Sequence, residues 1–210
     1  MPLWGTTHDA VTNKPKFLPT DEDSKYTRGD CYATNSGWVM QSGHASSGNG
    51  NTSADPEVLV AIGGLAGTSA TTGLKTPTVT NMRFVIGSTA ATDLTAGSSS
   101  QTIQVEITWD EGVTVATSNP TLVIANGNQG SGSGRGPYTL VYTATGSTAN
   151  RKRFILASQT IAEDDILTIG GANIVLANSS TISDTVVGGT TVAASLVLSG
   201  LTAVTHTVLA

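Results

Sequence analysis

Between residues 102 and 109 the chain alternates strictly: Ile103, Val105, Ile107 and Trp109 are separated by Gln104, Glu106 and Thr108. A period of two puts the apolar side chains on one face of a strand and the polar ones on the other, which predicts a half-buried antiparallel sheet with Trp109 as its largest core residue. Asp110-Glu111-Gly112 supplies a turn, and Val113-Thr114-Val115 resumes the alternation. Further strand patterns recur at short intervals, near residues 80–86, 101–109, 113–115, 121–125, 138–144, 153–157, 166–169, 190–198 and 203–209. Leu122, Ile124, Leu140, Tyr142, Phe154, Leu156, Leu167 and Ile169 hold the same period. Helical periodicity is almost absent, and even 161–166 is too short for more than one turn. Strands at this spacing predict a β-sandwich over residues 78–210.

The texture upstream is different. Residues 1–41 contain three prolines and the aromatics Trp4, Phe17, Tyr26, Tyr32 and Trp38, with no period of 2 or 3.6. Such a segment builds no core alone, so it is expected to be an extended, largely irregular N-terminal arm whose aromatics dock elsewhere. Residues 42–77 read as a Gly/Ser-rich linker holding one short strand, 57–62, ended by Gly63-Gly64. The expected fold class is therefore all-β: a sandwich preceded by an anchoring arm.

Composition narrows the function. Charged residues make up only 12% of the 210-residue chain, while hydrophobic residues reach 38%. Few charges and many Thr, Ser, Gly and Ala suit a subunit whose surface becomes covered in an assembly. The net charge of −5 argues against a nucleic-acid partner, which needs clustered cations. Arg151-Lys152-Arg153, the one basic run, reads as a solvated loop or guarded strand edge. No apolar stretch approaches the roughly 18 residues of a membrane span. Met1-Pro2-Leu3-Trp4-Gly5 lacks the look of a secretory signal, so assembly in a host cytoplasm is expected, and the Asn51 and Asn178 glycosylation triplets are taken as chance.

Candidate chemistry is sparse. Cys31 has no intrachain cysteine to pair with and reads as a buried, inert thiol. His8, His44 and His206 show neither metal-ligand nor triad spacing. The Gly-rich run 126–136 lacks the Lys-Ser/Thr of a phosphate loop and reads as an interstrand loop, with Arg135 at its tip a candidate partner contact. Arg28-Gly29-Asp30 spells an integrin-recognition tripeptide but reads as a turn beside paired charges. Glu163-Asp164-Asp165 and Asp110-Glu111 read as solvated turns that would hold Ca²⁺ only if the fold joined them. No catalytic residues, cofactor or metal are expected.

Two resemblances extend this reading. Residues 104–115, the Asn119-Pro120-Thr121-Leu122 strand with its Asn126-Gly127 turn, and Tyr138-Thr139-Leu140-Val141-Tyr142 resemble bacterial immunoglobulin-like domains, with residues 161–184 as the closing half and a total span of 79–210. Leu3-Trp4-Gly5, Asp9, Lys14-Pro15-Lys16-Phe17-Leu18 and Gly37-Trp38-Val39 resemble the amino-terminal segment of virion structural proteins of tailed phages that infect cyanobacteria. The match departs in its Thr richness and in carrying one copy of a unit that can recur. The resemblances imply an immunoglobulin-like sandwich in a virion, self-associating in a symmetric assembly, with the major capsid protein or other virion subunits as partners. The expected anchor is Leu3, Trp4, Phe17, Tyr26 and Trp38, aromatic side chains being frequent centres of interface energy. A head decoration or cement protein is the first placement. A neck, tail or fibre component is the nearest rival, and a carbohydrate-binding adhesion module is the alternative outside the virion.

Overall fold

A computed structural model describes residues 14, 15, 17, 18, 28–42, 50, 51, 53–66, 74, 76–86, 89, 90, 97–117, 119–128, 136–177, 179–184 and 191–209. The chain is nearly all β and sandwich-like. Thirteen strands are described: β1 (Tyr32–Thr34), β2 (Gly37–Met40), β3 (Glu57–Ala61), β4 (Val79–Ile86), β5 (Thr89–Ala90), β6 (Gly97–Trp109), β7 (Val113–Ala116), β8 (Thr121–Asn128), β9 (Tyr138–Thr143), β10 (Arg151–Ile161), β11 (Asp165–Ile169), β12 (Thr181–Asp184) and β13 (Val204–Thr207).

Eight strands join in the order β13-β11-β8-β9-β10-β6-β4-β5, every pair antiparallel. The sheet turns its corner within β8. Thr121–Ile124 pair with β9, whereas the next four residues pair with β11. One strand thus serves both layers, as strands do at the corners of sandwiches and barrels. The curl brings the far ends together: the Phe84 ring on β4 lies 5.9 Å from the His206 ring on β13. A separate ribbon pairs β12 with β7, from Thr181↔Ala116 to Asp184↔Val113.

The interior follows the alternation. Ile103, Val105, Ile107 and Trp109 are fully buried, with Leu122, Ile124, Leu140, Phe154, Leu167 and Ile169 around them. The Trp109 indole N–H donates to the Ser195 carbonyl at 3.0 Å, so its polar end is satisfied inside the core. Residues 191–198, expected as a strand, form only one bridge, Ala193↔Ser183. The partner of β7 is instead β12, whose Thr-Ile-Ser-Asp is too short to show a period.

The described part of the first 66 residues forms a sheet of its own, ordered β1-β2-β3. Most of the expected irregular arm falls outside the described residues, but residues 28–41 are a 3-10 turn followed by a hairpin. Asn35-Ser36 makes the two-residue turn, braced by the Thr34 hydroxyl, which accepts from Ser36 N–H and donates to Gly37 O. Gly37 has φ +126°, and a Cβ there would stand 2.1 Å from the Val60 carbonyl oxygen, so only glycine fits. The short strand expected at 57–62 is β3, and it pairs with β2. These strands enclose a second core of Cys31, Ala33, Trp38, Met40, Leu65 and Leu74.

Candidate functional site

At Glu106 and Thr108 the polar face of β6 is buried. Glu106 is 3% exposed, and Arg83 on β4 and Arg153 on β10 sit directly opposite it in register. Its Oε2 accepts from Arg83 Nε and Nη2 at 3.2 Å and from Arg151 Nη1 at 2.9 Å. Its Oε1 accepts from Arg153 Nε at 3.2 Å and Nη2 at 2.5 Å. Three guanidinium groups therefore converge on one carboxylate. Such close charge-assisted bonds compensate the desolvation of the ions when every partner is in place.

The turn before the N-terminal sheet supplies the second carboxylate. Asp30, at the end of the 3-10 turn Arg28–Asp30, pairs with Arg151 Nη2, both side chains being 2% exposed. Burial and the adjacent Arg153 pull the Arg151 pKa down, while Glu106 and Asp30 hold its charge in place. Beside this pair, Asn150 Nδ2 donates to the carbonyls of Asp30 at 3.2 Å and Trp109 at 3.3 Å, bridging both units. Backbone N–H of Ala33 donates to Asp110 O at 2.6 Å, and Ala33 faces Glu111 in an isolated parallel bridge.

Lys14 closes the junction from the other side. Its ammonium, 2% exposed, donates to Cys31 O at 2.5 Å, Gly29 O at 3.2 Å and Thr80 Oγ1 on β4 at 3.3 Å, and lies 5.7 Å from the Trp38 ring centroid. Burial lowers its pKa to about 8, against the opposing pull of Cys31 and Asp110. Burial likewise raises Cys31 to about 11, and the thiol is buried as expected.

Two other carboxyls complete the junction. Asp110 Oδ1 accepts from Thr78 N–H at 2.6 Å, but Asp110 Oδ2 and Glu111 Oε1 are buried without a hydrogen-bond partner. Burial pushes Asp110 up to about 6; burial, then the charges of Asp110 and Asp184, push Glu111 up to about 8. The expectation of a solvated turn at 110–111 is corrected, because the N-terminal sheet covers it. Asp165 is also buried, its Oδ2 accepting from Ala162 N–H at 2.9 Å. Among the described residues no group of three or more His, Cys, Asp or Glu is placed to hold a metal.

The expected site residues separate. Trp38 is 1% exposed, packed inside its own chain by β1 and β3, so its ring is covered before any partner arrives. Phe17 is 62% exposed. Leu3, Trp4, Tyr26 and Arg135 lie outside the described residues. The Arg-Gly-Asp tripeptide forms the junction, its Asp30 carboxylate taken by Arg151. Arg151-Lys152-Arg153 is corrected from a solvated edge to part of an interior strand, with Lys152 donating to Thr148 O at 2.5 Å and Ala149 O at 3.1 Å.

The sequence reading missed the junction altogether. The available signal was parity: Arg83, Glu106 and Arg153 fall on the polar face of three strands, with opposite charges that neighbouring strands bring together. No protein-family model matches the chain, and no curated protein or solved structure matches it.

Proposed function

We propose that the chain is a non-enzymatic structural subunit of a phage virion, a head decoration or cement protein bound to the major capsid lattice or to neighbouring virion subunits. The observation that carries this reading is where the charge goes. The chain has only 10 Lys and Arg and 15 Asp and Glu, and nine of these side chains are buried among the described residues. A surface thus depleted has little repulsion to keep free copies apart, whereas a subunit covered by neighbours does not need it. Phe17 supports the same reading as an apolar anchor, since the fold leaves it outside both cores. Together with Leu3, Trp4 and Tyr26 it forms the attachment set; Trp38 serves the internal core instead.

The test is incorporation into purified particles of a tailed cyanobacterial phage. Truncating an aromatic anchor costs about 2 kcal/mol, so Phe17→Ala with Trp4→Ala should lower occupancy at limiting protein by more than tenfold while the β-sandwich stays folded. Normal occupancy would refute the attachment. Hundreds of copies on the head support decoration, and a dozen or fewer move the protein to the neck or tail. Absence from particles combined with glycan binding by the free chain would replace the reading with an adhesion module.

A further inference from the structure

The joint between the two sheets is made on the backbone of two acids that lack complete partners. Ala33 of β1 donates its N–H to the Asp110 carbonyl and bridges Glu111, so the N-terminal sheet rests on these two residues. Asp110 is 1% and Glu111 5% exposed, and each keeps one buried oxygen with no hydrogen-bond partner. A carboxylate oxygen so placed loses its hydration with no hydrogen bond in return; a neutral carboxyl loses far less.

The charges facing them deepen the asymmetry. Glu111 feels Asp110 on its own turn and Asp184 on β12, both negative. Asp110 feels Lys14 from the N-terminal segment, whose ammonium is already engaged by Cys31 O, Gly29 O and Thr80. The nearby Arg151 is likewise occupied, by Asp30 and Glu106. We propose that docking of the β1-β2-β3 sheet onto the sandwich is controlled by protonation of the Asp110–Glu111 pair, tight when the pair is neutral and loosened when it ionises.

The sign follows from burial. Glu111 is raised from 4.5 to about 8 with burial the largest cause; undocking relieves the burial while Asp110 and Asp184 stay beside it, so over the upper part of this range the docked state binds a proton that the undocked state has released. The contribution of Glu111 to docking is then greatest at low pH and weakens as pH rises toward 8. Asp110, raised from 3.8 to about 6, contributes the same trend at lower pH. Above pH 8 the trend reverses in part: Lys14 is lowered from 10.5 to about 8, and the cost of burying its charge fades there.

Hydrogen exchange of the full chain tests this between pH 6 and 8, each rate corrected for intrinsic base catalysis. Residues 28–42 should lose about tenfold in protection over that range, while residues 103–109 keep theirs. Glu111→Gln, neutral at every pH, should remove most of the loss. Asp184→Asn keeps an oxygen for the Val192 N–H at 2.8 Å but deletes the facing charge, and should move the loss to lower pH. This second variant decides the matter if Glu111→Gln fails to fold. Protection of residues 28–42 that is flat with pH in the unmodified chain would overturn the proposal. So would a pH dependence unchanged by both substitutions, or equal loss in residues 103–109. The proposal does not depend on virion membership.

Discussion

Replacing Glu106 by Gln probes the buried ion cluster from which Arg151 reaches across to Asp30 of the N-terminal segment. The change keeps the side chain's shape but deletes the charge shared by Arg83, Arg151 and Arg153, three guanidinium groups that are buried or nearly so. Of the five hydrogen bonds to the carboxylate, only those to one oxygen pass to the amide carbonyl, and the NH₂ group in place of the other oxygen points donors at donors. Breaking a buried ion pair by removing one partner costs about 3–5 kcal/mol. With a urea slope of about 1–3 kcal/mol per molar, the midpoint should fall by at least about 1 M. Tryptophan fluorescence reads it, since Trp109 lies in the sandwich core and Trp38 in the N-terminal core. A loss below about 1 kcal/mol would mean that the guanidinium groups are satisfied without Glu106, and the account of the junction would fail.

Gly37→Ala should destabilise the N-terminal sheet by at least about 2 kcal/mol, because φ is +126° and the new methyl meets backbone of β3; an unchanged melting temperature would show that the hairpin adjusts freely. Trp109→Phe should lower stability by about 2–4 kcal/mol through lost volume and the orphaned Ser195 carbonyl, as measured by urea unfolding. Lys14 and Lys152, both lowered from 10.5 to about 8 by burial, leave the unfolded chain holding more protons between those values, so their contribution to stability rises as pH goes from 8 to 10.5. Cys31 opposes this only from 9 to about 11, so urea midpoints should rise from pH 8 to pH 9 and rise less in Lys14→Met. Cys31 itself, fully buried, should react with a thiol reagent only as fast as the N-terminal sheet opens, which competition between reagent concentrations measures.

The all-β class and most sandwich strands were legible because period-two alternation records which side chains share a face, and the burial of Ile103, Val105, Ile107 and Trp109 follows it. Strands β1, β2 and β12 carry no sustained apolar–polar alternation over their three or four residues; they form because a neighbour supplies their hydrogen bonds. The destination of the polar face was also illegible. Alternation says that Glu106 and Thr108 avoid the apolar core, and it says nothing of whether water or an arginine meets them on the other side. Arg151 pairs with Asp30 across 121 positions of chain, a contact that local pattern does not encode. Strand grammar and scarcity of charge can thus be read along the chain, since both are local or summed properties of its residues. That much of that charge lies inside is settled by folding, because burying an ion requires a partner, and the fold alone brings the partners together.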